Sequence, residues 1–351
     1  MAEAPAREHD AVICRSIAVK HLTALLCGIL TAATASAAPP PTRFHMASPV
    51  AGVGDGGWDY ATVEDGEAFV AHSDAVTVFD LAHGTSRKIG HVARAHAALP
   101  IAGTHWLLVT SGGDASVRIL DRRSGVEAAR IAVGANPDAA IFDAQTGHVL
   151  VMNAEAGTVS EVDIVRRLVV RTITLQSGLE FAAIGRGRIM YVNNEDANTI
   201  DRVDLGSGRV ESPIAMPGCE GPSGLAYDAR SNRLIAACAN GKAAIIDAGA
   251  GRLAQLVDIG HGPDAVILDA RRRLAFIPCG RDGVLEILSL GDAGVVRVAT
   301  VVTEVGARTG ALDAKTGTLY LPTAKLGAPP APGKRAPIQP GTFHLVVVRS
   351  S

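Results

Sequence analysis

The sequence predicts an all-β chain: a seven-bladed β-propeller of four-stranded blades, closed by pairing the N- and C-terminal strands in one blade. Three observations carry this. One segment recurs seven times, the strands around each copy alternate polar and apolar residues, and the last copy lacks a strand that the N-terminal segment can supply.

The recurring segment is an apolar run that ends in a small or polar residue. Its copies begin at Phe69, Leu108, Val151, Tyr191, Ile235, Phe276 and Tyr320, a period of about 42 residues. A polar turn follows, as at Asp196-Ala197-Asn198, and then an alternating strand such as Val76–Asp80, Val117–Asp121 or Ala244–Asp247. A turn with Gly125, Gly208 or Gly251 leads to a further strand, as at Arg130–Val133. Alternation between turn clusters marks half-buried strands, and four per repeat marks a propeller blade. A β-helix needs a shorter repeat, and a helical solenoid needs a 3.6-residue period that these segments lack.

The ends point to closure. Phe343–Val348 matches the third strand of a blade, and the stretch from Arg43 to Val50 can serve as its fourth, which removes a free sheet edge. Truncating either end should therefore weaken the whole fold.

Arg15 and Lys20 precede the apolar or neutral run Leu22–Thr34, then Ala35-Ser36-Ala37 and Pro39-Pro40-Pro41. This is a signal-peptide pattern, with cleavage after Ala37, residues 1–37 as leader and residues 38–351 as one propeller domain. An uncleaved anchor is the alternative; a lipoprotein reading at Cys27 conflicts with Leu26 before it. No later run is long enough to span a membrane. A periplasmic or secreted monomer is expected. With 48% hydrophobic and 19% charged residues and a net charge of −2, the chain has a large core and no basic footprint for duplex nucleic acid.

Inner strands begin after the between-blade loops, so their leading side chains face the channel. An acid five residues on keeps the register: Asp138 to Asp143, Ser223 to Asp228, Asp264 to Asp269, Arg308 to Asp313. On this reading Asp59, His96, Asp138, Glu180, Ser223, Asp264 and Arg308 form a ligand-binding ring at one mouth. Clustered carboxylates raise one another's pKa unless a cation compensates. Arg308, a cationic ligand or a divalent metal can do so, and Asp59, His96, Asp138 and Glu180 offer a metal oxygen and nitrogen donors. The alternative is solvated channel lining without a ligand. His72 and His261 fall on the same face, each read singly as a surface histidine. The loop 327–341, with five prolines plus Lys334 and Arg335, is read as a lid or as a passive extended loop.

Cys219 precedes the inner strand of the fifth blade and Cys238 ends the strand beside it, so the two suit a disulfide in an oxidising compartment. Cys279, one blade on, is left free; three buried thiols are the alternative. The spacing fits neither a zinc ribbon nor a haem attachment site.

The repeats resemble the YVTN-repeat, YncE-like family of exported bacterial propellers over about residues 43–349. The best-matched copy is Tyr191–Asn194, Asn198-Thr199-Ile200, Val203-Asp204 and Ser207-Gly208, and the between-blade segments Gly134–Ala139 and Gly260–Ala265 match as well. Two blades depart from the pattern, at Val165-Arg166-Arg167 and Ser289-Leu290-Gly291. One branch looks especially similar through Cys219–Leu225 and Gly306–Asp313.

The carboxylate-rich mouth points to a binding or scaffold propeller that holds a small ligand, a metal or a periplasmic protein or peptide. The resemblance also leaves open a hydrolase, because some seven-bladed propellers with related repeats are lactonases. His96 or Glu180 would then be the base, and Arg308 would stabilise an oxyanion. No nucleophile elbow is present. Two tryptophans do not make the docking pattern of quinone-dependent dehydrogenase propellers. Apart from a divalent metal, no cofactor is indicated.

Overall fold

The computed structural model describes residues 43–331 and 336–351. The expected leader, with Cys14 and Cys27, and Lys334 and Arg335 of the long loop lie outside these residues. The propeller is one compact unit over Thr42–Ser351. Among the described residues no helix is long and apolar enough to cross a membrane.

The chain opens on β1 (Phe44–Ala51). Blade one is β2 (Trp58–Glu64), β3 (Glu67–His72), β4 (Ala75–Asp80) and β5 (Thr85–Ile89). Blade two is β6 (Ala95–Pro100), β7 (Trp106–Ser111), β8 (Ser116–Asp121) and β9 (Glu127–Ala132). Blade three is β10 (Pro137–Asp143), β11 (His148–Asn153), β12 (Thr158–Asp163) and β13 (Leu168–Thr174). Blade four is β14 (Leu179–Ile184), β15 (Ile189–Asn194), β16 (Thr199–Asp204) and β17 (Arg209–Ala215). Blade five is β18 (Pro222–Asp228), β19 (Arg233–Cys238), β20 (Lys242–Asp247) and β21 (Arg252–Asp258). Blade six is β22 (Ile267–Asp269), β23 (Leu274–Cys279), β24 (Val284–Gly291) and β25 (Gly294–Val302). Blade seven joins β26 (Ala311–Asp313), β27 (Thr318–Thr323) and β28 (His344–Ser350) to β1. Phe44 pairs with Ser350 and Met46 with Val348, antiparallel, so the two ends of the propeller close the ring.

Buried side chains of the middle strands pack between neighbouring blades. Val76 and Val78 of blade one meet Leu107, Val109 and Leu120 of blade two, and Leu150 and Met152 of blade three meet Met190 and Val192 of blade four. Alternation supplies this core: each sheet presents apolar residues to both neighbours, as a doubly covered sheet requires.

The two departures from the repeat pattern have separate solutions. In blade three Arg167 takes φ +59 where the other turns place Gly125 or Gly208, and its amide still bonds Asp163 O at 2.8 Å. Its guanidinium lies over the Trp106 ring, 5.8 Å from the centroid, which offsets the left-handed strain. In blade six the capping aspartate is absent because β24 and β25 run on into a two-residue hairpin, with Gly291 opposite Gly294.

One irregularity recurs in the inner strands of blades one to six. Pairing with the second strand breaks between Trp58 and Ala61, Ala95 and Ala98, Pro137 and Ala140, Leu179 and Ala182, and Pro222 and Leu225. In blade six Pro263 bridges Cys279 and pairing resumes at Ile267 with Phe276. Each break inserts one extra residue, a β-bulge that bends the strand and re-aims its side chains.

Candidate functional site

The bulges carry the ring. Asp59, His96, Asp138, Glu180 and Ser223 each occupy the first residue after the last paired position, and Asp264 follows the Pro263 bridge. Freed from the ladder, these side chains reach one another across blades. His96 Nδ1 lies 2.6 Å from Asp59 Oδ2 and 3.6 Å from Asp138 Oδ1. Arg308 donates from Nε to Asp264 Oδ2 at 2.8 Å and through a terminal nitrogen to Trp58 O at 2.8 Å, with its guanidinium 5.9 Å from the Trp58 ring centroid. Thr110 donates to Asp138 O and Thr309 to Asp59 O, both at 2.8 Å, which pins the bulged backbone.

Two ring members are turned to other tasks. Glu180 accepts a hydrogen bond from Tyr60 at 3.2 Å, across the channel from blade four to blade one. Ser223 is buried and donates to Pro263 O at 3.1 Å, while Asn193 bonds the Ser223 and Gly224 carbonyls. Its hydroxyl ties blade five to blade six. The candidate metal set narrows accordingly. Donor atoms of Asp59, His96 and Asp138 all lie within 4.8 Å of one another. Glu180, expected as a fourth ligand, is drawn to the Tyr60 hydroxyl instead.

The acids that fix the register are structural. Asp143 accepts from the Gln145 amide and from Arg188 of the next blade at 2.5 Å, and Asp228 holds Arg273 of the next blade at 2.6 Å.

Burial among like charges dominates the electrostatics. Asp138 is raised to about 7, by desolvation first and then by the charge of Asp59, with His96 pulling the other way. Glu180 is pushed up to about 10, by desolvation and then by Asp138 and Asp264. Asp264 is raised by burial and Asp59 although Arg308 opposes it. Burial lowers His96, but the hydrogen bond it donates to Asp59 and the charges of Asp138 and Asp59 outweigh it, so the net shift is upward. Asp138 Oδ1 and His96 Nε2 are buried with no hydrogen-bond partner among the described residues. Gly112 makes room for the imidazole: a Cβ there would sit 2.7 Å from His96 Nε2.

Two features of the channel escape the sequence reading. Tyr60 and Phe181 meet in its middle, ring centroids 5.2 Å apart. Beside the ring a cleft of about 470 Å³ is lined by Trp58, Asp264, Arg281, Arg308, Leu326 and Ile338. Leu326 bridges Ile338, so the described flanks of the long loop border this cleft and stand next to Arg308.

His72, expected at the surface, is 2% exposed. It bonds Thr77 at 2.9 Å and stacks on Phe343 at 4.0 Å, because the closing blade folds over it. His261 is exposed and pairs with Asp282 at 3.1 Å. Cys219 and Cys238 are joined as a disulfide with Cα atoms 5.4 Å apart, and Cys279 is a buried free thiol that burial pushes up to about 12.

No family model and no curated protein matches the chain. Among solved structures it is similar to a chain of hydrazine synthase from Kuenenia stuttgartiensis, with TM-score 0.65 and 17% identity over 75% of this chain and 91% of that one. It is similar to a chain of a mitotic checkpoint complex, with TM-score 0.70 and 15% identity over 93% and 99%. It is also similar to virginiamycin B lyase from Staphylococcus aureus, with TM-score 0.69 and 12% identity over 88% and 99%. At such identities the likeness is one of fold: the chain is a seven-bladed propeller with structural neighbours of the virginiamycin B lyase type.

Proposed function

We propose that the chain is an exported propeller of the YVTN-repeat, YncE-like kind. It acts as a periplasmic or secreted monomeric binding protein, made by cleavage after Ala37, and its ring captures a small cationic ligand. A divalent metal is the cation that its three nearest donors fit. The observation that carries this reading is the environment of Asp138: its Oδ1 is buried without a donor and faces His96 Nδ1 and Asp59 within the reach of one ion. Buried charges are paired or coordinate metals, and the three aspartates of the ring share one guanidinium, that of Arg308. Two carboxylates and an imidazole form a hard-to-borderline donor set, with the channel side open to a further ligand.

The test is metal titration of purified protein by calorimetry with Zn²⁺ and Mn²⁺, supported by elemental analysis. Wild type should bind one ion. His96→Ala and Asp138→Asn should each weaken binding by about tenfold or more, and equal binding by all three proteins would rule the site out.

A second reading, a lactonase-like hydrolase on the same face, rests on one geometry: a histidine held by a carboxylate at 2.6 Å is an oriented base. Arg308 then stands as the oxyanion partner. Glu180 is unsuited as base, since its carboxyl holds its proton up to about pH 10. Turnover of a lactone panel, lost in His96→Ala and Arg308→Ala, would favour this reading.

A further inference from the structure

Below the charged ring the channel changes character. Tyr60 and Phe181 close it from opposite blades, and the Tyr60 hydroxyl points to Glu180. Beneath the two rings lies a partly enclosed cavity of about 220 Å³, walled further by Ala97, Leu99, Ile141, Phe142, Val266 and Ile267. Among the described residues no charged side chain lines it. The one other hydroxyl in its wall, Thr62 Oγ1, donates to Ala98 O at 2.7 Å and is already satisfied.

Protein interiors leave few voids larger than a water molecule. Water gains little here, because it needs two to four polar partners and the wall is mostly apolar. Alanines at 61, 97, 98, 140 and 265 hold the space open, in a chain that places large residues freely elsewhere in its core. An apolar cavity of about 150 Å³ is enough for benzene.

We infer that this cavity is a second binding site, for an uncharged monocyclic aromatic or a hydrocarbon group of that size. Tyr60 and Phe181 offer ring faces at one end, and Leu99, Ile141, Phe142, Val266 and Ile267 the remaining contact. A carboxylate or ammonium entering here would lose its hydration and find no partner, so charge is excluded. The site is independent of cation capture at the ring, from which the two aromatic rings separate it.

The test is a thermal-unfolding titration of the purified chain with benzene, toluene and indole, alongside phenylacetate as the charged analogue. A ligand at ten times its Kd should raise Tm by about 2–4 °C, saturably for the neutral compounds and not for phenylacetate. Ala265→Leu and Ala97→Leu fill the cavity and should abolish the shift while leaving the circular dichroism unchanged. Asp138→Asn, which disables the ring, should retain it. No saturable shift with any neutral compound up to its solubility overturns the inference, as does an equal shift with phenylacetate or persistence of the shift in a folded leucine variant. If neither leucine variant folds, the wild-type contrast between indole and phenylacetate decides.

Discussion

His96 Nδ1 sits between two carboxylates, 2.6 Å from Asp59 Oδ2 and 3.6 Å from Asp138 Oδ1. The space a metal ion would take is the space the imidazole proton takes. Cation capture at the ring should therefore release protons, and affinity should climb as pH rises toward about 7, where Asp138 loses its proton. Zinc titrations in two buffers of different ionisation enthalpy measure the release directly. An affinity independent of pH would mean that the ion binds elsewhere.

Glu180 gives the fold a pH dependence of its own. Its folded pKa is raised from the usual carboxylate value to about 10, so the native state holds a proton that the unfolded chain has lost. The stabilisation is complete below about pH 4.5 and drains away as pH rises toward 10. Glu180→Gln mimics the protonated carboxyl. It should flatten the stability profile across that window by about 1 kcal/mol per pH unit and leave acidic stability nearly unchanged, as read by urea unfolding at several pH values.

Arg308 is held by Asp264 and by Trp58 O, and returns a cation to both. Arg308→Ala leaves Asp264 among carboxylates without its partner and should cost on the order of 2 kcal/mol at pH 7. Arg308→Lys should recover only part, since an ammonium cannot keep both contacts of the fork. Adding Asp264→Asn to Arg308→Ala should restore much of the loss, which a double-mutant cycle would show.

The Cys219–Cys238 bridge spans 19 residues of blade five. Opening it should cost about 3 kcal/mol through the freed unfolded chain. Comparing urea midpoints of oxidised protein and the double serine variant measures this. Cys279, buried with a raised thiol pKa, should resist alkylation in the native state.

Strands, turns and blade number were legible because alternation and turn glycines are local signals. The ring positions followed from a short spacing, the acid five residues on. What lay beyond reach is set by neighbours in other blades. Glu180 turns to Tyr60, and Ser223 to Pro263, through contacts that span 120 and 40 residues of sequence. The aromatic plug was hidden by the bulges: strict two-residue alternation sends the residue after each ring position into the sheet, yet Tyr60 and Phe181 meet in the channel. A signal was present all the same. That position is alanine at 97, 139 and 265, glycine at 224 and threonine at 309, so two aromatics there stand out.

Phe44 finds its partner in Ser350. The first strand of the propeller thus waits for β28, the whole ring later, before it can be zipped in. Blades one to six can assemble one after another behind it, but the circle stays open until β28 is in place. Such a long-range final clasp is slow by nature.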